Sequence, residues 1–317
     1  MRIRSLFQTI FGILTFIPGV YEWRSKRLGS GGTYSASYCY SVWMRHIVSL
    51  NSKIRADQLK TIAELGPGDS IGVGLVALLL GVDRYYAFDV VEFSNIENNL
   101  KIFDEIVALV QKRSPIPDED EFPRIQPHLD NYEFPSEIYS DEYLDSILSE
   151  ERIKFIRKSI LNPKANDSMI VYKAPWFHKK ECILDELDLI YSQAVLEHID
   201  NLSETYHYMY LSLKNGGLMS HSIDFKSHGY SETWDGHWKI SNIRWSLLRG
   251  NRPYMLNRKP YSYHIDLMKK NGFKVIDEKI LKRKPSIKKA YISKFCSNFT
   301  EDDRKISGAY IVATAIR

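Results

Sequence analysis

Three groups of residues in this 317-residue chain could carry chemistry. The first is the turn Glu64-Leu65-Gly66-Pro67-Gly68-Asp69-Ser70-Ile71-Gly72. Its glycines let the backbone turn tightly and bring N–H groups close to a ligand. Asp89 follows about 20 residues beyond the turn, where a carboxylate can accept both hydroxyls of a ribose. The second is Gln193-Ala194-Val195-Leu196-Glu197-His198-Ile199, in which His198 is a candidate acid–base residue or a cap. The third holds His221, Asp224 and His228, followed by Trp234, Asp235, His237 and Trp238. An aspartate beside an imidazole can orient it as a general base. The same His-x-x-Asp-x-x-x-His spacing could hold a divalent ion, but magnesium prefers oxygen donors, and no metal ligand is assigned. Polar loop residues bonding one another are the plain alternative.

These groups need a scaffold, and the chain alternates short β-type runs with helical patterns, the signature of a parallel sheet with crossover helices. Thr61–Leu65 reads as the first strand, running through the glycine turn into a helix over Ile71–Leu80 that Gly81 stops. A second strand spans Arg84–Asp89. Ile96, Leu100, Phe103, Val107 and Val110 then mark one buried helical face. From about Lys112 to Pro163 the chain is acidic, aromatic and proline-bearing, with a helical patch at Asp141–Ile160, and is longer than a crossover requires. It is read as a lid or substrate cap. Strands follow at Met169–Tyr172 and Leu187–Tyr191, then a helix over Leu202–Leu213, a stop at Asn215-Gly216-Gly217 and a strand over Leu218–Ile223. A helix over Tyr261–Lys270 precedes two strands, Phe273–Ile280 and Ala309–Ile316, with no helix between them. That pair predicts an antiparallel hairpin at one edge of a seven-stranded sheet.

Charge discriminates between ligands for the turn. The dinucleotide fingerprint is G-x-G-x-x-G, whereas this loop reads G-x-G-x-x-x-G. A pyrophosphate needs the bare positive end of a helix, and Asp69 stands at that entrance. S-adenosylmethionine carries no phosphate, and its sulfonium and amino groups are cationic, so Glu64 and Asp69 suit it. The loop resembles the first motif of class I S-adenosylmethionine-dependent methyltransferases. The strand ending at Gln193 with its Ala-Val-Leu-Glu-His continuation is similar to their fourth-strand segment. The run after Gly216-Gly217 looks like their fifth strand, and the closing pair like their antiparallel seventh. The resemblance spans most of residues 60–317. It implies a Rossmann-like α/β fold with S-adenosyl-L-methionine as cofactor, lined by Glu64, Gly66, Gly68 and Asp89 with Gln193 nearby. It further implies that the base comes from His221, Asp224, His228 and His198. Where that family often has an acidic residue after the third strand, this chain has Lys173-Ala174-Pro175-Trp176, so Trp176 is read as stacking on adenine or as a buried structural ring.

The chain divides into an N-terminal apolar segment and aromatic cap (1–58) and a methyltransferase domain (59–317) with an insertion at about 112–165. In the cap, Gly31 to Trp43 is dense in hydroxyls and rings, suited to a polyol or to packing on the sheet. Together with the acidic insertion and the His221–Trp238 loop, the cap resembles methyltransferases of bacterial surface-polysaccharide or glycan biosynthesis. That resemblance implies a sugar hydroxyl as acceptor. The alternatives are a catalytically inactive cofactor-binding scaffold of a membrane-associated glycan assembly and an RNA methyltransferase. A formal net charge of +4 with no basic block speaks against a nucleic-acid partner. Three scattered cysteines, Cys39, Cys182 and Cys296, make neither a disulfide framework nor a thiolate zinc site and fit a reducing cytoplasm. The run Leu6–Val20 is too short and too polar to span a membrane. It is read as a packed helix, the alternative being peripheral contact with the inner membrane, with Arg24, Lys26 and Arg27 near the headgroups.

Overall fold

The computed structural model describes residues 3–20, 33–92, 94–176, 183–252, 255–296 and 298–317. Arg24, Lys26, Arg27, Gly31, Gly32 and Cys182 lie outside them. The chain opens with α1 (Ile3–Leu14) and α2 (Ala36–Leu50), then β1 (Thr61–Leu65), α3 (Gly72–Leu79), β2 (Arg84–Phe88) and α4 (Ile96–Gln111). Next come α5 (Asp141–Ile147), α6 (Glu150–Leu161), β3 (Ile170–Lys173), β4 (Leu187–Gln193), α7 (Leu202–Ser212) and β5 (Leu213–Asp224). The last elements are α8 (Asn242–Arg249), α9 (Tyr261–Lys270), β6 (Phe273–Lys282) and β7 (Ile306–Ala315).

The seven strands form one sheet in the order β3-β2-β1-β4-β5-β7-β6. β1 to β5 pair in parallel, and β7 inserts antiparallel between β5 and β6. This is the Rossmann-like α/β architecture expected from the alternation. The closing pair is not a tight hairpin, because residues 283–305 with three short 3-10 turns connect β6 to β7. The helix over 202–213 ends at Ser212, before the glycines. Residues 213–217 already run as strand, and a register irregularity at Leu187/Leu189 absorbs the extra length.

Strand alternation sorts the core into two layers. Ile62, Tyr85, Leu189, Tyr191, Leu218 and Tyr310 pack under α2, α3 and α4. Ala63, Leu65, Phe88, Ile190, Met219 and Ile311 face the other way, toward α7 and α9. α2 is therefore a core helix. Tyr40 and Trp43 are fully buried, with Tyr40 donating to the Ser114 carbonyl at 2.7 Å and Trp43 Nε1 to Tyr139 at 3.3 Å. In the 33–43 stretch, only Tyr34 projects strongly into solvent, so these rings are packing rather than an acceptor wall.

The helices of the insertion do not cover the glycine turn. They fasten at the far end of the sheet from it. Tyr143 donates to Leu80 O at 3.2 Å and Arg152 Nε to Leu78 O at 2.9 Å, both at the C-terminus of α3. The stretch before them straps the outer side of α2, where the buried Arg45 guanidinium donates to the carbonyls of Ile125 and Pro117, each at 2.9 Å. A guanidinium buried that fully must spend its donors on carbonyls, and an insertion that supplies them is structural.

α1 packs on α8. A Cβ at Gly12 would overlap the carbonyl oxygens of Leu247 and Leu248, and Thr15 Oγ1 accepts from Asn251 N at 2.9 Å. Phe7, Ile10 and Ile13 remain exposed on its outer side. Among the described residues no helix is long and apolar enough to cross a membrane.

Candidate functional site

The glycine turn leaves β1 at the carboxyl edge of the sheet, where open α/β sheets bind ligands. Gly66 and Gly68 hold φ of +66° and +74°, the left-handed region that glycine enters without penalty. A Cβ on Gly66 would also come within 2.7 Å of Val195, in the segment after β4. Asp89, directly after β2, closes the turn from the other side. Its Oδ2 accepts from Gly68 N at 3.2 Å and its Oδ1 from Val90 N at 2.7 Å. Burial pushes this carboxyl above the usual range, although its backbone donors favour the ionised form.

Three amides at the entrance to α3 are already engaged. Ser70 N donates to Thr33 Oγ1 at 3.0 Å, Ile71 N to Asn99 Oδ1 at 3.2 Å, and Gly72 N to Ser70 Oγ at 3.1 Å. Thr33 Oγ1 in turn donates to Pro67 O at 2.9 Å, and Ser70 Oγ to Thr33 O, so residue 33 is clasped to the turn. A pyrophosphate would have to displace these side chains from the N–H groups it needs. The sequence argument rested on the loop spacing and the charge of Asp69 and Glu64, and the amide bonding adds to the case against a dinucleotide.

Glu64 stands behind this mouth rather than in it. It shares a face with Tyr85 and Tyr191, which donate to its Oε2 at 2.6 and 3.0 Å, and it is 3% exposed. Burial pushes the carboxyl up to about 7, against the pull of the two hydroxyls. An unfolded glutamate titrates near 4.3, so the folded chain binds this proton more strongly. The stability it contributes is complete below the unfolded value and is lost as pH rises through about 7. Glu64→Gln keeps an acceptor for both tyrosines. In calorimetric melting it should match the native chain near about pH 5 and exceed it by a few degrees near about pH 8. Gln193 ends β4, and its buried side-chain carbonyl lies beside the His46 ring, with which it interacts, behind the mouth. Trp176 follows β3 and stacks on Phe88, with centroids 5.0 Å apart and planes at 16°. The Trp176 backbone N–H donates to Asp89 O at 2.7 Å, which fixes the β2 terminus.

Of the four base candidates, the structure brings three together. His198 lies in the turn after β4, and Asp224 and His228 follow β5. His228 Nε2 is 3.2 Å from Asp224 Oδ2, and the His198 and His228 rings lie 5.2 Å apart. Lys226 Nζ also reaches Asp224 Oδ2, at 3.0 Å. Burial opposes ionisation of Asp224, but His228 and Lys226 outweigh it and hold the carboxyl below the usual range. Asn257 pins the His198 turn by donating from Nδ2 to Leu196 O at 2.8 Å and to Ile199 O at 2.9 Å.

His221 does not join them. Two residues from Met219 and Ile223, it shares their face and is sealed in the layer under α7 and α9, with Nδ1 2.8 Å from Ser192 Oγ. Burial pushes its pKa down to about 3, so the ring is neutral. Asp235, His237 and Trp238 are likewise buried; Asp235 Oδ2 accepts from Ser286 N and Ile287 N at 2.7 and 3.0 Å and fastens the loop to the 283–305 connection. Sequence reasoning singled out His198 in the second group and passed over Glu197 beside it. Glu197 is 3% exposed, with Oε1 accepting Asp224 N at 3.3 Å and Oε2 unpartnered. A glutamate placed directly before the candidate histidine was the available signal.

No protein-family model matches the chain, and no curated protein is detectably similar to it. Solved structures resemble it in fold. One is an S-adenosylmethionine dependent methyltransferase from Mesorhizobium loti, 11% identical, with a TM-score of 0.42 over 84% of this chain and 96% of that one. Another is phosphoethanolamine N-methyltransferase 2 of Haemonchus contortus in complex with S-adenosyl-L-methionine, 13% identical, with a TM-score of 0.44 over 89% of this chain and 57% of that one. Identities this low speak of fold alone.

Proposed function

We propose that the protein is an S-adenosylmethionine-dependent methyltransferase acting on a hydroxyl, with a sugar or glycan precursor as acceptor. The observation that carries this reading is the mouth itself. A buried Asp89 closes a glycine turn whose neighbouring helix-entrance amides are already bonded internally. It offers a carboxylate for ribose, while the amides of Ser70, Ile71 and Gly72 are engaged by side chains rather than open to a phosphate.

Bound S-adenosylmethionine would supply an electrophilic methyl group. Asp89 would take the ribose hydroxyls, while Gly66 and Gly68 allow close approach of the backbone. A hydroxyl acceptor needs in-line placement and a group to take its proton. His228, oriented by Asp224, and His198 stand at the carboxyl ends of β5 and β4 to do this. In the transfer, an imidazole of His228 or His198 would take the proton that the acceptor hydroxyl gives up.

Isothermal calorimetry with S-adenosylmethionine and with NAD tests the cofactor; binding of NAD alone would end the proposal. Incubation with labelled methyl donor and a fractionated glycan extract tests the acceptor. Label in the glycan fraction is expected, and label only in a lipid or small phenol would overturn the sugar assignment.

A further inference from the structure

Glu197, His198 and His228 each bring one ligand-type atom into a group whose members lie within 4.8 Å of one another. They reach it from two elements: Glu197 and His198 from the short turn after β4, and His228 from the loop after β5. Glu197 is the unusual member. A carboxyl group 3% exposed, with one oxygen lacking any hydrogen bond, costs free energy unless something positive meets it. Asp224 lies alongside, and its charge adds to the burial that disfavours a bare anion there. His228 holds a φ of +45°, a conformation that costs a non-glycine residue roughly 1–2 kcal/mol. That backbone turn accompanies a ring facing Asp224 and His198.

We infer that Glu197, His198 and His228 form a binding site for a divalent first-row transition ion, with Asp224 orienting His228. The donor set argues for the ion class. Two imidazoles and one carboxylate suit zinc, cobalt, manganese or iron, whereas magnesium and calcium select all-oxygen shells. A carboxylate on the second nitrogen of a ligating histidine fixes its tautomer and raises its basicity, which is the part Asp224 plays. Metal bonds of about 2.0–2.2 Å require the ligand atoms to close by roughly an ångström. His228, exposed on its loop, can make that movement by rotation. Three protein ligands leave positions open, and an ion there would bind the acceptor oxygen and lower its pKa. With the ion bound, the two imidazoles act as ligands rather than bases, and the acidified hydroxyl releases its proton to solvent. That role for the ion rests on the methyl-transfer reading; the site itself does not.

The test therefore uses metal alone. Untagged, chelator-treated protein is titrated with cobalt(II) while its visible absorption is followed, in the absence of any methyl donor. One equivalent is expected to bind with a saturable ligand-field band. His228→Ala, a change at an exposed position, should weaken binding by at least about tenfold, and Asp224→Asn by about tenfold. His207→Ala, which removes an exposed histidine elsewhere on the surface, should leave it unchanged. Absence of saturable binding would overturn the site, as would binding that His228→Ala leaves intact or that His207→Ala abolishes. Because no methyl donor is present, a failure of the methyltransferase proposal leaves this readout untouched.

Discussion

Asp89→Ala should lower the affinity for S-adenosylmethionine by at least about tenfold, and should also lower the melting temperature by a few degrees because two backbone donors lose their acceptor. Hydrogen bonds to a charged group contribute about 1.5–3 kcal/mol each, and about 1.4 kcal/mol is a factor of ten in binding. Two ribose hydroxyls on one buried carboxylate place the loss at the upper end of what a single side chain can produce. The same carboxylate also holds the turn through Gly68 N and Val90 N. Asp89→Asn separates the contributions, since it retains one acceptor while removing the charge, and its loss should be intermediate. Calorimetry on the two variants checks the order. Native affinity in Asp89→Ala, with folding intact, would take this residue out of the ribose role and remove the main support for the proposed cofactor.

The largest stability loss is expected at Gly74→Ala. Gly74 lies inside α3, every residue of which is buried, and a Cβ there would overlap the ring of Tyr85. Alanine ordinarily stabilises a helix relative to glycine by up to about 1 kcal/mol. Here the Tyr85 ring has no room to retreat, because it is fully buried and its hydroxyl is committed to Glu64 at 2.6 Å. Overpacking of this kind costs about 1–3 kcal/mol or more, and the hydrogen bond to a carboxyl group behind the mouth shifts with the ring. A melting point lower by about 5 °C is expected by differential scanning calorimetry. A variant as stable as the native chain would mean that α3 can slide on β2.

Much of this architecture could be read from residue patterns because the relevant signals are local. The glycine turn, the strands with apolar residues on both faces, and the stop at Asn271-Gly272 each encode their own geometry. The helix Asn242–Arg249 was missed, although Ser241 caps its start by accepting from Arg244 N and Gly250 ends it at φ +57°. Its apolar face, Trp245 and Leu248, is too narrow for periodicity to register, and it is completed by contact with α1. The candidate site was less legible for a different reason. Composition marks His221 and His228 alike, and only strand parity separates the first, two residues from Met219 and Ile223, from the second, beyond the strand end. Glu64 carries a similar lesson. Its carboxylate looked like a ligand group because Tyr85 and Tyr191, its partners, are 21 and 127 residues away in sequence.

The position of α2 bears on how the chain folds. His46 on that helix meets Ser220 of β5 at 2.7 Å, across 174 residues, and the same hydroxyl is 2.7 Å from Tyr310 of β7. α2 is thus completed only when β5 and β7 are in place, 174 residues and more further along the sequence. Contacts this distant form late and slow folding, and until they form the inner face of α2 stays an open apolar surface.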